Sequence, residues 1–236
     1  MKHRASQRET SRRQLLKMTV GGVAALATTP VSVLAQAAEP EFPKPDKPAQ
    51  AIQLLLQGNE RYLKGQLTEC TANFAALRHD SEEEQKPFAA ILCCADSRVP
   101  AEILFDRSIG HLFVVRVAGN IATPDTIASL EYAVAVLGVK AILVVGHTRC
   151  GAVTAAKHGG AEPGMIGGLF QYIYPATLGT ADVPAAIVKN AQVQAEILRG
   201  SSAVLAERTK DGQLVVESAL YDVGTGKVTM LERLKL

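Results

Sequence analysis

Phe88-Ala-Ala-Ile-Leu-Cys-Cys94 is an unbroken apolar run that ends on two cysteines. Leu112-Phe-Val-Val-Arg-Val117 and Ala141-Ile-Leu-Val-Val145 are two further runs of the same kind. A strand with one wet face alternates apolar and polar residues, whereas a parallel strand covered by helices on both faces does not. These runs therefore read as buried parallel strands. Parallel neighbours need a crossover, and Asp125 to Leu137 supplies a helix between the second and third runs, opened by Pro124 and stopped by Gly138. Such a unit closes right-handed, and its repetition means an α/β fold: a mostly parallel central sheet flanked by helices.

Working outward, Ala49 to Lys64 places apolar residues at Ile52, Leu55, Leu56, Tyr62 and Leu63, the spacing of an amphipathic helix. Asp80 to Lys86 is acidic and reads as a solvated surface stretch. Ala152 to Lys157 opens another helix after Gly151, Gly159 to Gly179 reads as glycine-rich and irregular, and Val188 to Leu205 reads as one helix. Gln213 to Tyr221 and Lys227 to Leu231, joined by Asp222-Val-Gly-Thr-Gly226, predict a hairpin at the sheet edge near the C-terminus. No internal repeat is present.

The first 37 residues read as an address. Lys2, Arg4, Arg8, Arg12, Arg13 and Lys17 stand against one acid, Glu9, and no charge follows from Met18 to Ala37. A basic segment, then an apolar one, then small residues ending at Ala35 or Ala37 is the order of an export signal. Ser11-Arg12-Arg13-Gln14-Leu15-Leu16-Lys17 resembles the twin-arginine type, with Leu15 where Phe is commonest. A retained membrane anchor is the alternative, but the Gly, Thr, Ser and Pro content makes the stretch weakly hydrophobic for a span. Residues 38–48 form a linker, with four prolines from Glu39 to Pro48, and residues 49–236 form the domain. The expected destination is the bacterial periplasm, reached through the export machinery.

Composition excludes several classes. The net charge of the whole chain is +2, and the basic leader accounts for more than that, so the remainder is mildly acidic. A body without a basic stripe has no electrostatic case for nucleic acid as a partner. Four scattered cysteines (70, 93, 94 and 150) do not make a disulfide scaffold. With 47% apolar residues the chain can build an ordinary core.

Two short motifs carry the chemistry. Cys94-Ala95-Asp96-Ser97-Arg98 follows one buried strand, and His147-Thr148-Arg149-Cys150-Gly151 follows another. In an open parallel sheet the carboxyl ends of the strands form the ligand crevice. Cys94, His147 and Cys150 delivered there are a coherent Zn²⁺ set, and three protein ligands with an open fourth position is the catalytic pattern. Asp96 and Arg98, two apart, can form a bidentate pair that keeps Asp96 ionised. Asp96 then either orients a metal-bound nucleophile through a hydrogen bond or closes the site as a fourth ligand. Cys93 faces away from Cys94 on the same strand and belongs to the core. A Cys70–Cys93 disulfide is conceivable in an oxidising compartment. Export in a folded state would protect thiolates already on zinc. His79, His111 and His158 have no partner pattern and read as surface or core residues, although His111, at a strand start, could shuttle protons.

From about Gly58 to the C-terminus these motifs resemble the β-class carbonic anhydrases, as do Phe113-Val-Val-Arg-Val-Ala-Gly-Asn120 and Tyr221-Asp-Val-Gly-Thr-Gly-Lys227. The resemblance implies zinc ligands Cys94, His147 and Cys150, a catalytic dyad of Asp96 and Arg98, a homodimer or higher homo-oligomer, and reversible hydration of CO₂ to bicarbonate and a proton. Zinc lowers the pKa of a bound water and supplies hydroxide for that reaction. Hydrolysis of carbonyl sulfide or carbon disulfide on the same fold, or a closed non-catalytic zinc site, are the other readings. Arg107 stands where many members of the family carry a substrate-binding Gln, unless it points to solvent, and the chain has no Trp for the family's regulatory bicarbonate site.

Overall fold

A computed structural model describes residues 43–69, 73–159 and 163–234. The leader, the first part of the linker and Cys70 lie outside the described residues. Among the described residues, no helix is long and apolar enough to cross a membrane.

The three apolar runs form β1 (Ala89–Cys93), β2 (Leu112–Arg116) and β3 (Ala141–His147), and β4 (Val215–Tyr221) and β5 (Val228–Met230) complete one sheet in the order β2-β1-β3-β4-β5. The first four of these strands, in that order, run parallel, and only the β4–β5 pair is antiparallel. Every residue of β1 and β3 is buried, as continuous apolar runs require, while edge strand β2 is only partly covered. The C-terminal hairpin is present, and its first strand also pairs with β3 over seven residues, which its own sequence did not announce.

Helices cover both faces. α1 (Pro48–Leu63) begins with Pro48 in its first turn, one residue earlier than the spacing predicted, and packs with α3 (Ala101–Leu104) over Ala89, Ile91, Cys93, Leu143 and Val145. α4 (Pro124–Ala135), α7 (Val183–Ser201) and α8 (Ala203–Lys210) pack over Ala90, Leu92, Ile142 and Val144. Alternate β1 residues thus serve opposite cores, and Cys93 lies fully buried in the first of them. α2 (Phe74–Asp80) and α5 (Gly151–His158) complete the set together with α6 (Gly167–Thr177).

Two helical expectations needed correction. The segment Gly159 to Gly179 is not wholly irregular: α6 forms because Phe170, Ile173, Ala176 and Thr177 bury one face. Its Gly167 and Gly168 sit at the amino end, and Pro175 removes one backbone hydrogen bond in the last turn, just before the helix ends at Thr177. The expected single helix from Val188 to Leu205 is broken at Ser202. The Ser202 hydroxyl accepts from the Leu205 amide at 3.1 Å and donates to Glu131 at 2.6 Å, so a new N-cap outcompetes continuity.

Candidate metal centre

The sheet order dictates where a site can form. From β1 the chain crosses to β2 on one side, and from β3 it crosses to β4 on the other. Between β1 and β3 the connections leave in opposite directions, and a crevice opens at their carboxyl ends. Both short motifs emerge there.

Cys94 directly follows β1, His147 is the last residue of β3, and Cys150 is the N-cap of α5. Their donor atoms lie within 4.8 Å of one another, and all three residues are buried. His147 Nδ1 donates to the Thr148 carbonyl at 3.0 Å, which fixes the tautomer and leaves Nε2 as an acceptor. That Nε2 is buried without a hydrogen-bond partner, a costly arrangement unless a cation belongs beside it. The two sulfurs answer to each other as well. A hydrogen bond from the Cys150 thiol pulls Cys94 down to about 4, aided by the Gly119 amide, which approaches the Cys94 sulfur to 3.3 Å. Cys150, facing that anion and buried, is pushed up. Two cysteine sulfurs and an imidazole nitrogen gathered within 4.8 Å make an S₂N donor set, which fits zinc.

Asp96 and Arg98 stand on the rim. Arg98 Nε and Nη2 donate to the two Asp96 carboxylate oxygens at 2.9 and 2.7 Å, and the Arg98 amide adds a third bond at 2.9 Å. This fork holds the Asp96 carboxyl well below the usual range. Asp96 Oδ2 lies 3.9 Å from His147 Nε2. Arg98 Nη2 also donates to the Arg149 carbonyl at 3.3 Å, tying the β1 loop to the β3 loop. Arg149 has a φ of 59°, a left-handed conformation that costs a non-glycine residue about 1 kcal/mol.

Arg116, at the end of β2, went unnoticed in the sequence as a site residue. Its Nη2 donates to the Asp96 carbonyl at 2.7 Å and its Nε to the Cys94 carbonyl at 3.3 Å, so it pins the backbone that presents both side chains. Its place in the Phe113–Asn120 stretch was the available signal.

Other expected candidates lie elsewhere. Cys93 is a free thiol on the opposite face, pushed up to about 12 by burial. Arg107 does not point to solvent: it is buried, donates to the Leu54 carbonyl and lies over the Phe88 ring, 5.2 Å from its centre. Phe88 precedes β1 while Cys94 follows it, about 20 Å apart at strand rise, so within this chain Arg107 is at the wrong end of the sheet to meet substrate. His111 shares that end, is buried, and its Nδ1 accepts from the Ser108 amide at 3.3 Å, so it is no proton shuttle for the cluster.

The sequence model described as carbonic anhydrase matches residues 89–228. Carbonic anhydrase 2 of Mycobacterium tuberculosis is 34% identical over 196 residues, covering 79% of this chain and 94% of that protein. Among solved structures, the Coccomyxa β-carbonic anhydrase in complex with acetazolamide aligns with a TM-score of 0.61 at 27% identity, covering 75% of this chain and 84% of that one. One of two tetrameric β-carbonic anhydrases from Sordaria macrospora aligns with the same TM-score of 0.61 at 24% identity, covering 78% and 94%, and shares the fold. With the matched segment running from the first residue of β1 to the first residue of β5 and enclosing the whole Cys94–His147–Cys150 cluster, the chain belongs to the carbonic anhydrase family, in its β class of zinc enzymes.

Proposed function

We propose that the protein catalyses the reversible hydration of CO₂ to bicarbonate and a proton at zinc held by Cys94, His147 and Cys150, with Asp96 and Arg98 as its dyad. The observation that carries this reading is the Arg98 fork on Asp96. A carboxylate with both oxygens engaged by a guanidinium is held back from the metal, which leaves three protein ligands and one position for water, the catalytic arrangement. Zinc in that position supplies a water activated near neutral pH.

The chain's own residues do the rest. Asp96, kept ionised by Arg98, is an acceptor only, so it takes a hydrogen bond from the attacking oxygen and turns that oxygen's free lone pair toward the carbon. The side chain of Asp96 is 18% exposed, which gives the departing proton a path to solvent. The sulfur ligands pack among Ile121, Val153, Ile173 and Ile187, an apolar surround suited to a neutral, apolar substrate. Two thiolates donate more charge than imidazoles would, so activity should rise toward alkaline pH.

Stopped-flow CO₂ hydration by zinc-verified protein tests the proposal. A rate well above buffer that scales with zinc content supports it. Full zinc occupancy with no rate overturns it, and carbonyl sulfide and carbon disulfide become the substrates to try.

The surroundings of the domain belong to the same reading. Residues 1–37 act as a twin-arginine-type signal, residues 38–48 as a linker, and the folded, zinc-loaded domain works in the periplasm. A mature N-terminus near Ala38, found by mass spectrometry of periplasmic protein, is the expected result; an uncut chain in the membrane fraction contradicts it. The domain works as a homodimer or larger assembly, in keeping with the tetrameric Sordaria macrospora relatives. Sedimentation at a single-chain mass would rule that out.

A further inference from the structure

On α7 the buried face runs Ala186, Ile187, Asn190, Ala191, Gln194, Ala195 and Leu198. Asn190 and Gln194 are completely buried in that otherwise apolar stripe. Polar amides are expensive in such a place unless every group is used, and these are used mainly on one segment. Asn190 Nδ2 donates to the Gly119 carbonyl at 2.8 Å. Gln194 Oε1 accepts from the Ala122 amide at 2.8 Å, while its Nε2 donates to Asn190 Oδ1 at 3.1 Å and to the Tyr172 carbonyl at 2.8 Å. The two side chains therefore hold both ends of the short segment from Gly119 to Ala122, which leaves the Val117–Asn120 turn, and brace each other.

That turn carries the amide that meets the metal cluster. Gly119 N–H donates to Cys94 Sγ at 3.3 Å. Gly119 has a φ of +79°, and a Cβ there would come within 2.7 Å of the Ile173 side chain, so the position requires glycine. A glycine with φ free to change is a poor anchor for a directional bond by itself. Asn120, the next residue, is also left-handed, with φ 46°. The turn is thus a strained segment whose geometry is imposed from α7.

We infer that Asn190 and Gln194 are positioning residues for the metal centre: they lock the Gly119 turn so that its amide donates to the Cys94 sulfur and withdraws charge from that ligand. The inference rests on the reading of Cys94 as a zinc ligand. A hydrogen bond to a coordinated thiolate lowers the electron density it passes to the metal, which counters the strong donation of two sulfurs and keeps the bound water acidic.

The test is Asn190→Ala in the full chain, with Gln194→Met as a second variant that keeps side-chain length and removes the amide. Each is loaded with cobalt(II), and the thiolate-to-metal charge-transfer band is recorded beside the thermal midpoint. The expected result is a band moved to longer wavelength at unchanged cobalt stoichiometry. In the zinc form, hydration at neutral pH should fall about 10-fold or more, with the rate profile moved toward alkaline pH. A purely structural role would lower the midpoint and leave the band in place. An unmoved band in either variant that folds and binds one cobalt per chain overturns the inference. Failure of the unaltered protein to bind cobalt through sulfur would instead overturn the zinc-site reading, and the inference with it.

Discussion

Two aspartates of this fold are each clasped by an arginine, and the two pairs do different things. At the carboxyl end, Arg98 takes both oxygens of Asp96, its guanidinium stays half exposed, and the carboxylate faces His147 Nε2. Just after α3, Arg61 Nε donates to Asp106 at 2.6 Å, and the Thr68 amide and hydroxyl and the Glu69 amide bond the same carboxylate. Asp106 is fully buried, with a left-handed φ of 44°. The second pair has more hydrogen bonds and more strain, yet no site. It fastens α1 and the segment after it to the loop before β2. An ion pair acquires chemistry from what lies beyond it, and of the two only Asp96 faces the crevice that the switch in strand order opens.

Four tests would break or sharpen this contrast. The largest effect belongs to the ligands: Cys94→Ala or His147→Ala should abolish stoichiometric zinc and lower CO₂ hydration by about 10³-fold or more, metal analysis and stopped-flow rates falling together. Retained activity in metal-depleted Cys94→Ala would remove the zinc site from the account. Next, Asp96→Asn should keep zinc and the fold while the rate falls about 10²- to 10⁴-fold, the range for a positioned proton acceptor. Asp106→Asn should do the reverse. Removing one partner of a buried pair costs about 3–5 kcal/mol, read by denaturant unfolding, with the rate per bound zinc near that of the parent protein.

The smallest effect is a pH dependence at the amino end. Burial first, and Arg107 second, push the His111 imidazole down to about 4. An unfolded chain takes up that proton near 6.5, so between about 6.5 and 4 the unfolded state holds a proton that the fold refuses. Stability from this group is therefore intact above the window and is lost as pH falls through it, by at most about 3 kcal/mol. Thermal midpoints across that window should fall less steeply for His111→Asn, and identical slopes would contradict the assignment.

Most of the carboxyl end was legible in the sequence. Strands β1 and β3 are buried on both faces, so their apolar runs carry no polar interruption to mislead, and residues that follow such strands fall where ligands bind. Cys94, Asp96, Arg98, His147 and Cys150 could be read because each pair sits within a few residues of a strand end. What escaped reading depends on partners far apart in the chain. Asn190 meets Gly119, 71 residues away, and Arg61 meets Asp106, 45 residues away. Polar residues inside the apolar stripe of α7 were the one local hint. Helix α6 was obscured by its glycines, whose cost is offset by burial of Phe170 and Ile173, a tertiary effect that local propensity does not contain. The surroundings of Arg107 could not be read because alignment gives a position and not the end of the sheet on which the side chain lies.

The most direct measurement is the stopped-flow CO₂ hydration rate per bound zinc of Asp96→Asn beside the unaltered protein, at mildly alkaline pH and matched zinc content. The account predicts a fast, zinc-dependent rate for the unaltered protein and a loss of at least about a hundredfold for the variant, at full zinc occupancy. Equal rates in the two proteins would contradict the role given to Asp96 and leave its pair with Arg98 no more chemical than the pair of Arg61 with Asp106.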